Sequence, residues 1–319
     1  FSDERLRVVF SFHPLLVGGN PFDTTAIYTL IAHLERSFGV HFAMGGTGAL
    51  IDGMVRLIEG QGGAVRCDAP VATIRTEEGK VAGVTLRSGE RLDAPLVVSN
   101  ADAINTYEKL LDRPRQRWTT KKAARSRSSM GLFVWYFGTE GVYPEVPHHL
   151  ILMGPRYRGL LDDIFKKKVL ADDFSLYLHR PTATDSSLAP PGCETFYVLS
   201  PVPNLDAGVD WITMAETYRA RIAAALEATV LPGLSERLRT SRMMTPLDFR
   251  DRLDSYRGAG FSLEPILFQS AWFRPNNRSE EVEGLYLVGA GTHPGAGLPG
   301  VLSTAKVLEH LIPHAPRAA

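Results

Sequence analysis

The sequence predicts an α/β protein in which a second, mixed α+β domain interrupts the first. Three observations support this fold class. Amphipathic helix patterns and apolar strand patterns share the first part of the chain, a region rich in aromatic strand candidates begins near Gly131, and an apolar strand followed by a helix returns near Gly284. This order is typical of one layered domain into which another is inserted.

The first predicted elements are helices and a hairpin. Residues 23–39 carry apolar side chains at helical spacing, and residues 44–63, MGGTGALIDGMVRLIEGQGG, repeat that pattern between two glycine clusters. Residues 71–76 and 81–87 flank the turn EEGK and predict a β-hairpin. The unbroken apolar run Leu96–Val98 predicts a strand of a parallel sheet with both faces buried.

The middle of the chain changes in composition. Aromatic residues are frequent in three predicted strands, residues 131–138, 174–181 and 194–205. A long helix is predicted over residues 211–230. Pro232 and Gly233 predict where it ends. The chain then returns to a short apolar strand, Leu285–Val288, ahead of the last helix.

Composition narrows the class of protein. The 35 basic and 35 acidic side chains balance, which argues against a nucleic-acid partner because such proteins carry a basic excess. The two cysteines, Cys67 and Cys193, form neither a metal-ligand spacing nor a disulfide framework. No apolar run approaches the roughly 18 residues that a membrane span requires.

The glycine-rich stretch LYLVGAGTHPGAGLPGV has the order of an anion-binding site: strand, glycine turn, helix. Gly289 and Gly291 supply G-x-G, but Pro294 replaces the third glycine of a dinucleotide fingerprint, and no acidic residue ends a second strand about 20 positions later. The helix that begins near Pro299 would still present free amides to a pyrophosphate or a reduced flavin. A plain glycine turn is the alternative.

Other candidate sites are weaker. The aromatic residues suit either a core or an apolar tunnel for a greasy substrate, and their pattern does not separate the two. His148 and His149 are adjacent, so on an extended strand they would point to opposite sides, and the sequence predicts no metal site there. The sequence identifies no catalytic residue.

Several segments together resemble bacterial phytoene desaturases of the lycopene-forming type. They include FSFHPLLVGGNPF, GGTGAL, TDSSLAPPG, QSAWFRPNNR and the glycine-rich stretch above. The resemblance runs from Phe1 to about Leu311 and corresponds to the carboxyl-terminal two thirds of the family. It implies an FAD-binding fold similar to that of flavin amine oxidases, with a βαβ unit expected before Phe1.

The resemblance also implies a division of the chain. Residues 41–108 and 278–319 are expected to belong to the FAD-binding domain, and residues 1–40 and 109–277 to a domain that faces substrate and membrane. FAD would contact Val71 at its adenine end, and Gly289, Ala290, Gly291, Thr292, His293, Gly297, Leu298, Pro299, Gly300 and Val301. The substrate would contact Phe12, Phe133, Trp135, Phe137, Trp272 and Phe273.

The implied reaction converts phytoene to lycopene, with hydride transfer to the flavin and proton loss from the neighbouring carbon. Expected partners are the polyene, a membrane lipid surface, and quinone or oxygen as electron acceptor. The expected location is peripheral, on the cytoplasmic side of a bacterial membrane. The polar residues that the family is thought to use would precede Phe1, so the isolated chain is expected to be inactive. Alternatives are a diapophytoene desaturase, a carotene ketolase, a flavin amine oxidase or a non-catalytic fragment.

Overall fold

The computed structural model describes residues 2–113, 117–118 and 120–312. Phe1 and residues 313–319 of the predicted terminal segment lie outside this range. The chain divides into two compact units. We call residues 1–36, 67–130 and 250–319 the loop unit, and residues 37–66 and 131–249 the sheet unit.

Along the described residues, three helices are followed by four strands, and helices and strands are then mixed as far as the last helix, with short 3-10 and π turns between them. The helices are α1 (Glu4–Ser11), α2 (Leu30–Phe38), α3 (Gly46–Gly60), α4 (Ala103–Asn105), α5 (Thr120–Arg125), α6 (Tyr157–Asp162), α7 (Trp211–Thr229), α8 (Leu234–Arg237), α9 (Pro246–Leu253) and α10 (Leu298–Leu311). The strands are β1 (Val71–Glu77), β2 (Lys80–Leu86), β3 (Arg91–Asp93), β4 (Val97–Ser99), β5 (Gly131–Glu140), β6 (His149–Leu152), β7 (Leu176–His179), β8 (Cys193–Val202), β9 (Leu238–Met244) and β10 (Leu285–Leu287).

The sheet unit is built on a five-stranded antiparallel sheet in the order β6-β7-β8-β5-β9. Strands β5 and β8 pair over their whole length, from Gly131 opposite Val202 to Glu140 opposite Cys193. Along β8, buried and partly buried residues alternate without exception, as expected for a strand with one face on a core. The aromatic strands and the long helix α7 that the sequence predicts are confirmed.

Helix α7 supplies much of the core on the inner face of this sheet. Trp211 and Tyr218 contact Phe133, with ring centroids 5.9 and 5.1 Å apart. Trp211, Tyr218 and Ile222 are at most 2% exposed. Large aromatic side chains bury 150–250 Å² each, so this layer contributes a large share of the apolar surface that folding removes from water.

The loop unit contains two small sheets. Strands β1, β2 and β3 form an antiparallel meander, and the predicted hairpin turn is confirmed by Gly79, whose φ of 83° lies in the left-handed region. Strands β4 and β10 pair in parallel, Val97 opposite Leu285 and Ser99 opposite Leu287. The prediction that the strand at Leu96–Val98 is buried on both faces is wrong, because Val98 is 42% exposed. Within the described residues this sheet has two strands, β4 and β10.

The two units group the chain differently from the predicted domain segments. Residues 41–66, expected in the FAD-binding domain, lie in the sheet unit, where Phe42 packs edge-on against His148 at 4.8 Å. Residues 109–130 and 250–277, expected in the substrate-facing domain, lie in the loop unit. Their contacts there, such as Lys109 with Asp254 at 2.9 Å, explain the grouping.

Among the helices that the structure describes, none has both the length and the apolar character needed to cross a bilayer.

Candidate functional site

The carboxyl ends of β4 and β10 meet at one edge of their parallel pair, the edge at which open α/β sheets bind ligands. The Val288 amide extends the ladder by donating to the Ser99 carbonyl at 2.9 Å. The chain then turns through the glycine loop, residues 289–297, into α10. The predicted order of strand, glycine turn and helix is confirmed.

The first half of the loop is locked by its own hydrogen bonds. Thr292 donates through both its amide and its hydroxyl to the Gly289 carbonyl, at 3.2 and 3.0 Å. The Gly289 amide donates to Thr304 Oγ1 on α10 at 3.3 Å. Asn277 Nδ2 donates to the Leu287 carbonyl at 3.1 Å. Because these groups are buried and satisfied, the predicted contacts Gly289 and Thr292 hold the loop's shape.

Close packing explains the first two glycines of the loop. A Cβ on Gly289 would lie 2.4 Å from Asn100 Oδ1, and the φ of Gly289 is 99°. A Cβ on Gly291 would lie 2.8 Å from Ser262 Oγ and 3.3 Å from the Ala103 Cβ. The loop therefore presses against the chain segment that follows β4, and side chains would separate the two.

A buried arginine that is not part of the glycine loop holds the loop by hydrogen bonds. The sequence analysis did not identify this residue. The guanidinium of Arg274, 3% exposed, donates to the Ala290 carbonyl at 2.9 and 3.3 Å, to the Leu263 carbonyl at 3.0 Å and to the Gln269 carbonyl at 2.9 Å. Burial lowers the pKa of Arg274 to about 10, so it stays charged at neutral pH. The sequence feature that could have indicated this role is the position of Arg274 inside the apolar segment AWFRP.

The second half of the loop leads into the amino terminus of α10, which no side chain caps. Gly297 caps α10 without a side-chain hydrogen bond, and Leu298 is 58% exposed. The first-turn amides of a helix have no intrahelical acceptor, and Pro299 has no amide hydrogen to leave unpaired. His293 contributes a buried Nδ1 with no hydrogen-bond partner in the described residues. These groups fit a negatively charged or hydrogen-bonding portion of a flavin nucleotide.

Val71, the residue predicted for the adenine end, lies in a separate cleft of the loop unit. The cleft has a volume of about 660 Å³. Ala101 also lines it, one residue after the Asn100 that packs against Gly289, so the segment after β4 connects cleft and loop. Charged side chains complete the lining: Arg87, Lys109, Asp251, Arg252 and Asp254.

Asp102 follows directly and caps α4, accepting hydrogen bonds from the Ile104 and Asn105 amides at 2.9 and 3.4 Å. Burial raises the pKa of the Asp102 carboxyl, although hydrogen bonds, including one from Ser262, act in the opposite direction. The folded protein therefore holds this proton more tightly than the unfolded chain does. Its stability rises as pH falls through the raised pKa and levels off below the unfolded value near 3.8.

We expect Asp102→Asn to keep the cap and remove the charge that burial disfavours. The variant should match or exceed the original in unfolding free energy at pH 7, and its advantage should shrink as the pH falls towards 4. Asp102→Ala, which loses the cap, should cost about 1 kcal/mol. Urea unfolding at a series of pH values measures both effects. An advantage of Asp102→Asn that grows with acidity would contradict this assignment.

Three residues predicted to line the substrate site belong to the core instead. Phe133, Trp135 and Phe137 are 0%, 0% and 3% exposed. They point to the inner face of the sheet, where Trp135 Nε1 donates to Ser241 Oγ at 2.8 Å. Residues i and i+2 of a strand share a face, so one covering layer buries all three. This corrects the prediction for these side chains.

The other predicted substrate residues lie in the loop unit and are more accessible. Phe12 is partly buried and stacks on His13 with ring centroids 4.4 Å apart. Trp272 and Phe273 are 79% and 55% exposed, and Phe273 packs edge-on against the 73% exposed Phe268 at 5.6 Å. The exposed side chains of Phe268, Trp272 and Phe273 are close in sequence, and we call these three residues the aromatic patch.

The second glycine cluster, which precedes α3, binds a carboxylate side chain of the same chain, that of Asp185. The Gly45 amide donates to Asp185 Oδ2 at 2.6 Å, and the φ of Gly45 is 81°. Asp185 also accepts from the Ser187 amide at 3.1 Å and hydroxyl at 2.6 Å. These hydrogen bonds lower the pKa of the Asp185 carboxyl, the one from the Ser187 side chain most.

The expectation that His148 and His149 point apart is wrong. His148 lies in a bend just before β6, so the strand pleat does not separate the pair, and their ring centroids are 4.3 Å apart. His179 on β7 joins them. Burial lowers the pKa of all three imidazoles, and that of His179 falls to about 4, with its two neighbours adding to the effect. The cluster is therefore neutral at pH 7.

Comparison with known proteins identifies close relatives of the chain. It is 55% identical to the neurosporene-forming phytoene desaturase of Cereibacter sphaeroides and 52% identical to the lycopene-forming phytoene desaturase of Pantoea ananas. The alignments cover 99% and 98% of this chain, and 62% and 64% of the relatives. The chain thus spans a little under two thirds of their length, and its resemblance to phytoene desaturases is confirmed.

Solved structures and a family model agree on the fold. An oxidoreductase from Methanosarcina mazei matches 97% of this chain and 65% of its own, with a TM-score of 0.67 at 21% identity. A putrescine oxidase variant matches 97% and 65%, with a TM-score of 0.58 at 15% identity. The family model for flavin containing amine oxidoreductases matches residues 1–306. The predicted fold class and the FAD cofactor are confirmed, and the chain belongs to the flavin-containing amine oxidoreductase family.

Proposed function

We propose that this protein catalyses the FAD-dependent desaturation of phytoene, with lycopene as its product. The observation that supports this most directly is 50–55% identity, over nearly all of this chain, to phytoene desaturases. A flavin amine oxidase is the weaker candidate, because the putrescine oxidase variant shares the fold at only 15% identity.

In this proposal the chain contributes one side of the flavin site. Bound FAD supplies the hydride acceptor. The start of α10 directs the positive end of the helix dipole, and the amides that precede Val301, towards negative charge on the cofactor. The Val301 amide itself donates to the Gly297 carbonyl at 2.8 Å. His293, within the glycine loop, offers a buried Nδ1 that has no partner among the described residues. Arg274, by holding the Ala290 carbonyl, keeps the loop in the position that these contacts require.

The substrate is a long polyene carried in lipid, and the loop unit has exposed apolar surface that suits such a partner. The aromatic patch includes Trp272 at 79% and Phe268 at 73% exposure, and α1 exposes Val9 and Phe10 at 53% and 46%. Large exposed apolar patches mark interaction sites. We propose a peripheral position on the cytoplasmic side of a bacterial membrane, with quinone or oxygen accepting the electrons.

The test is an assay of the protein expressed from its complete coding sequence. It is incubated with FAD and with liposomes that contain phytoene, and the carotenoids are separated by chromatography. We expect bound flavin and conversion to lycopene. Protein that binds flavin yet leaves phytoene unchanged would contradict the proposed reaction. Flotation with liposomes that lack phytoene tests the membrane contact separately.

Neurosporene is the second candidate product. The relatives from Cereibacter sphaeroides and Rhodobacter capsulatus, 55% and 52% identical to this chain, are named neurosporene-forming phytoene desaturases. The same chromatogram separates the two outcomes. Accumulation of neurosporene with excess FAD and long incubation would replace lycopene as the assigned product while leaving the reaction class unchanged.

A further inference from the structure

Three histidines converge at one side of the sheet unit. The Nε2 atoms of His148 and His179 are 2.8 Å apart. The ring centroids of His148 and His179 are separated by 4.7 Å, and those of His149 and His179 by 5.3 Å. One nitrogen from each ring can be chosen so that all three lie within 4.8 Å of one another. We call these residues the histidine cluster.

The sheet register places two members of the cluster side by side. His149 on β6 lies directly opposite His179 on β7, so both side chains leave the same face of the sheet. His148 reaches that face because it stands in the bend before β6. The cluster therefore depends on backbone pairing, which is a rigid support for a binding site.

Neighbouring side chains hold two of the rings from outside the cluster. Thr184 Oγ1 lies 2.5 Å from His148 Nδ1, and the Tyr177 hydroxyl lies 2.6 Å from His149 Nδ1. Phe42 contacts the rings of His148 and His179 edge-on, with centroids at 4.8 and 6.0 Å. Histidines that ligate metals are commonly fixed by such outer partners and shielded by apolar groups.

We propose that His148, His149 and His179 bind one divalent first-row transition-metal ion, with Zn²⁺ as the representative case. The donor set consists of imidazole nitrogens, which suit zinc, copper and nickel and do not suit the oxygen-preferring calcium and magnesium. Three protein nitrogens and one open position form a common arrangement for zinc. Zinc–nitrogen bonds of about 2.0–2.1 Å place tetrahedral ligand atoms about 3.3 Å apart. The 2.8 Å pair must therefore widen by about half an ångström, and any nitrogen pair near the 4.8 Å limit must close to the same spacing.

Zinc titration of the protein tests the proposal. The protein is prepared without a histidine tag, stripped with a chelator and titrated with Zn²⁺ against a chromophoric competitor. Co²⁺ in place of Zn²⁺ reports coordination through its visible absorption. We expect one ion per chain and a rise in melting temperature on addition of Zn²⁺, because an ion that binds the folded chain stabilises it.

Substitutions assign the ion to the cluster. His149→Gln changes an exposed side chain, so folding should persist, and Zn²⁺ affinity should fall at least about tenfold, since even outer-shell changes cost 10–100-fold. His179→Gln should act alike, and His310→Gln, an exposed residue on α10, is the matched control. No zinc binding by the original protein, or equal binding by folded His149→Gln, would overturn the proposal.

Discussion

Replacing Glu194 with alanine is expected to destabilise the protein by about 3–5 kcal/mol, the cost of leaving a buried charge without its partner. Glu194 Oε1 accepts from Arg180 Nη1 at 2.7 Å, and its Oε2 accepts from the Tyr143 amide at 2.9 Å. The two side chains of the pair are 7% and 9% exposed. Arg180 also donates to the Tyr143 carbonyl, and Glu194→Ala does not remove that bond. The substitution leaves the Arg180 cation without its counter-charge and the Tyr143 amide without its acceptor.

Urea unfolding measures this effect, with Glu145→Gln as an exposed control. Glu194→Gln should cost less than Glu194→Ala, because its amide oxygen can still accept from the Tyr143 amide. The double change Arg180→Met with Glu194→Leu should recover part of the loss, since apolar residues of similar size can replace a buried ion pair at little cost. A loss below about 1 kcal/mol in Glu194→Ala would show that Arg180 finds solvent or another acceptor.

Local patterns were sufficient for most of the secondary structure. The turn EEGK predicts the hairpin that Gly79 closes, and Pro232 with Gly233 predicts the end of α7, because these residues restrict the backbone wherever they stand. The first predicted helix starts later than expected: residues Ala26–Thr29 form a 3-10 turn before α2 begins at Leu30. Such boundaries depend on packing that the pattern does not contain.

The site was only partly predictable. The glycine loop follows from its motif, but the motif does not separate Gly289, which packs against Asn100, from Leu298, which is exposed at the helix start. The aromatic strands predict apolar side chains without saying what covers them, and α7 covers the face that includes Phe133. The histidine cluster forms because β6 pairs with β7 and places His149 opposite His179. The local sequence pattern does not show which strands pair or in which register.

Arg274 is the residue whose role sequence reasoning missed and whose loss should matter most for the cofactor. Its buried guanidinium donates hydrogen bonds to three backbone carbonyls, those of Leu263, Gln269 and Ala290. Replacing it with methionine leaves all three without this donor, at about 1–3 kcal/mol for each carbonyl that water does not reach. We therefore expect Arg274→Met to lose at least about 3 kcal/mol of unfolding free energy.

The same substitution should weaken FAD binding more than stability alone explains. Arg274 binds the Ala290 carbonyl inside the loop, so its removal frees the segment that leads to Leu298 and the open amides of α10. FAD affinity, measured by flavin fluorescence at a temperature where the variant is still folded, should fall at least about tenfold. The control Arg278→Met removes an exposed guanidinium four residues away and should change neither quantity.

Arg274→Lys separates charge from geometry. A lysine keeps the positive charge, but its single ammonium cannot reproduce the planar fork that reaches carbonyls on three segments. We expect the lysine variant to recover part of the stability and little of the FAD affinity, because one ammonium can satisfy one segment at a time. Equal FAD affinity in the lysine and arginine forms would mean that the loop is held by Thr292, Asn277 and its own glycines, with Arg274 needed for its charge alone.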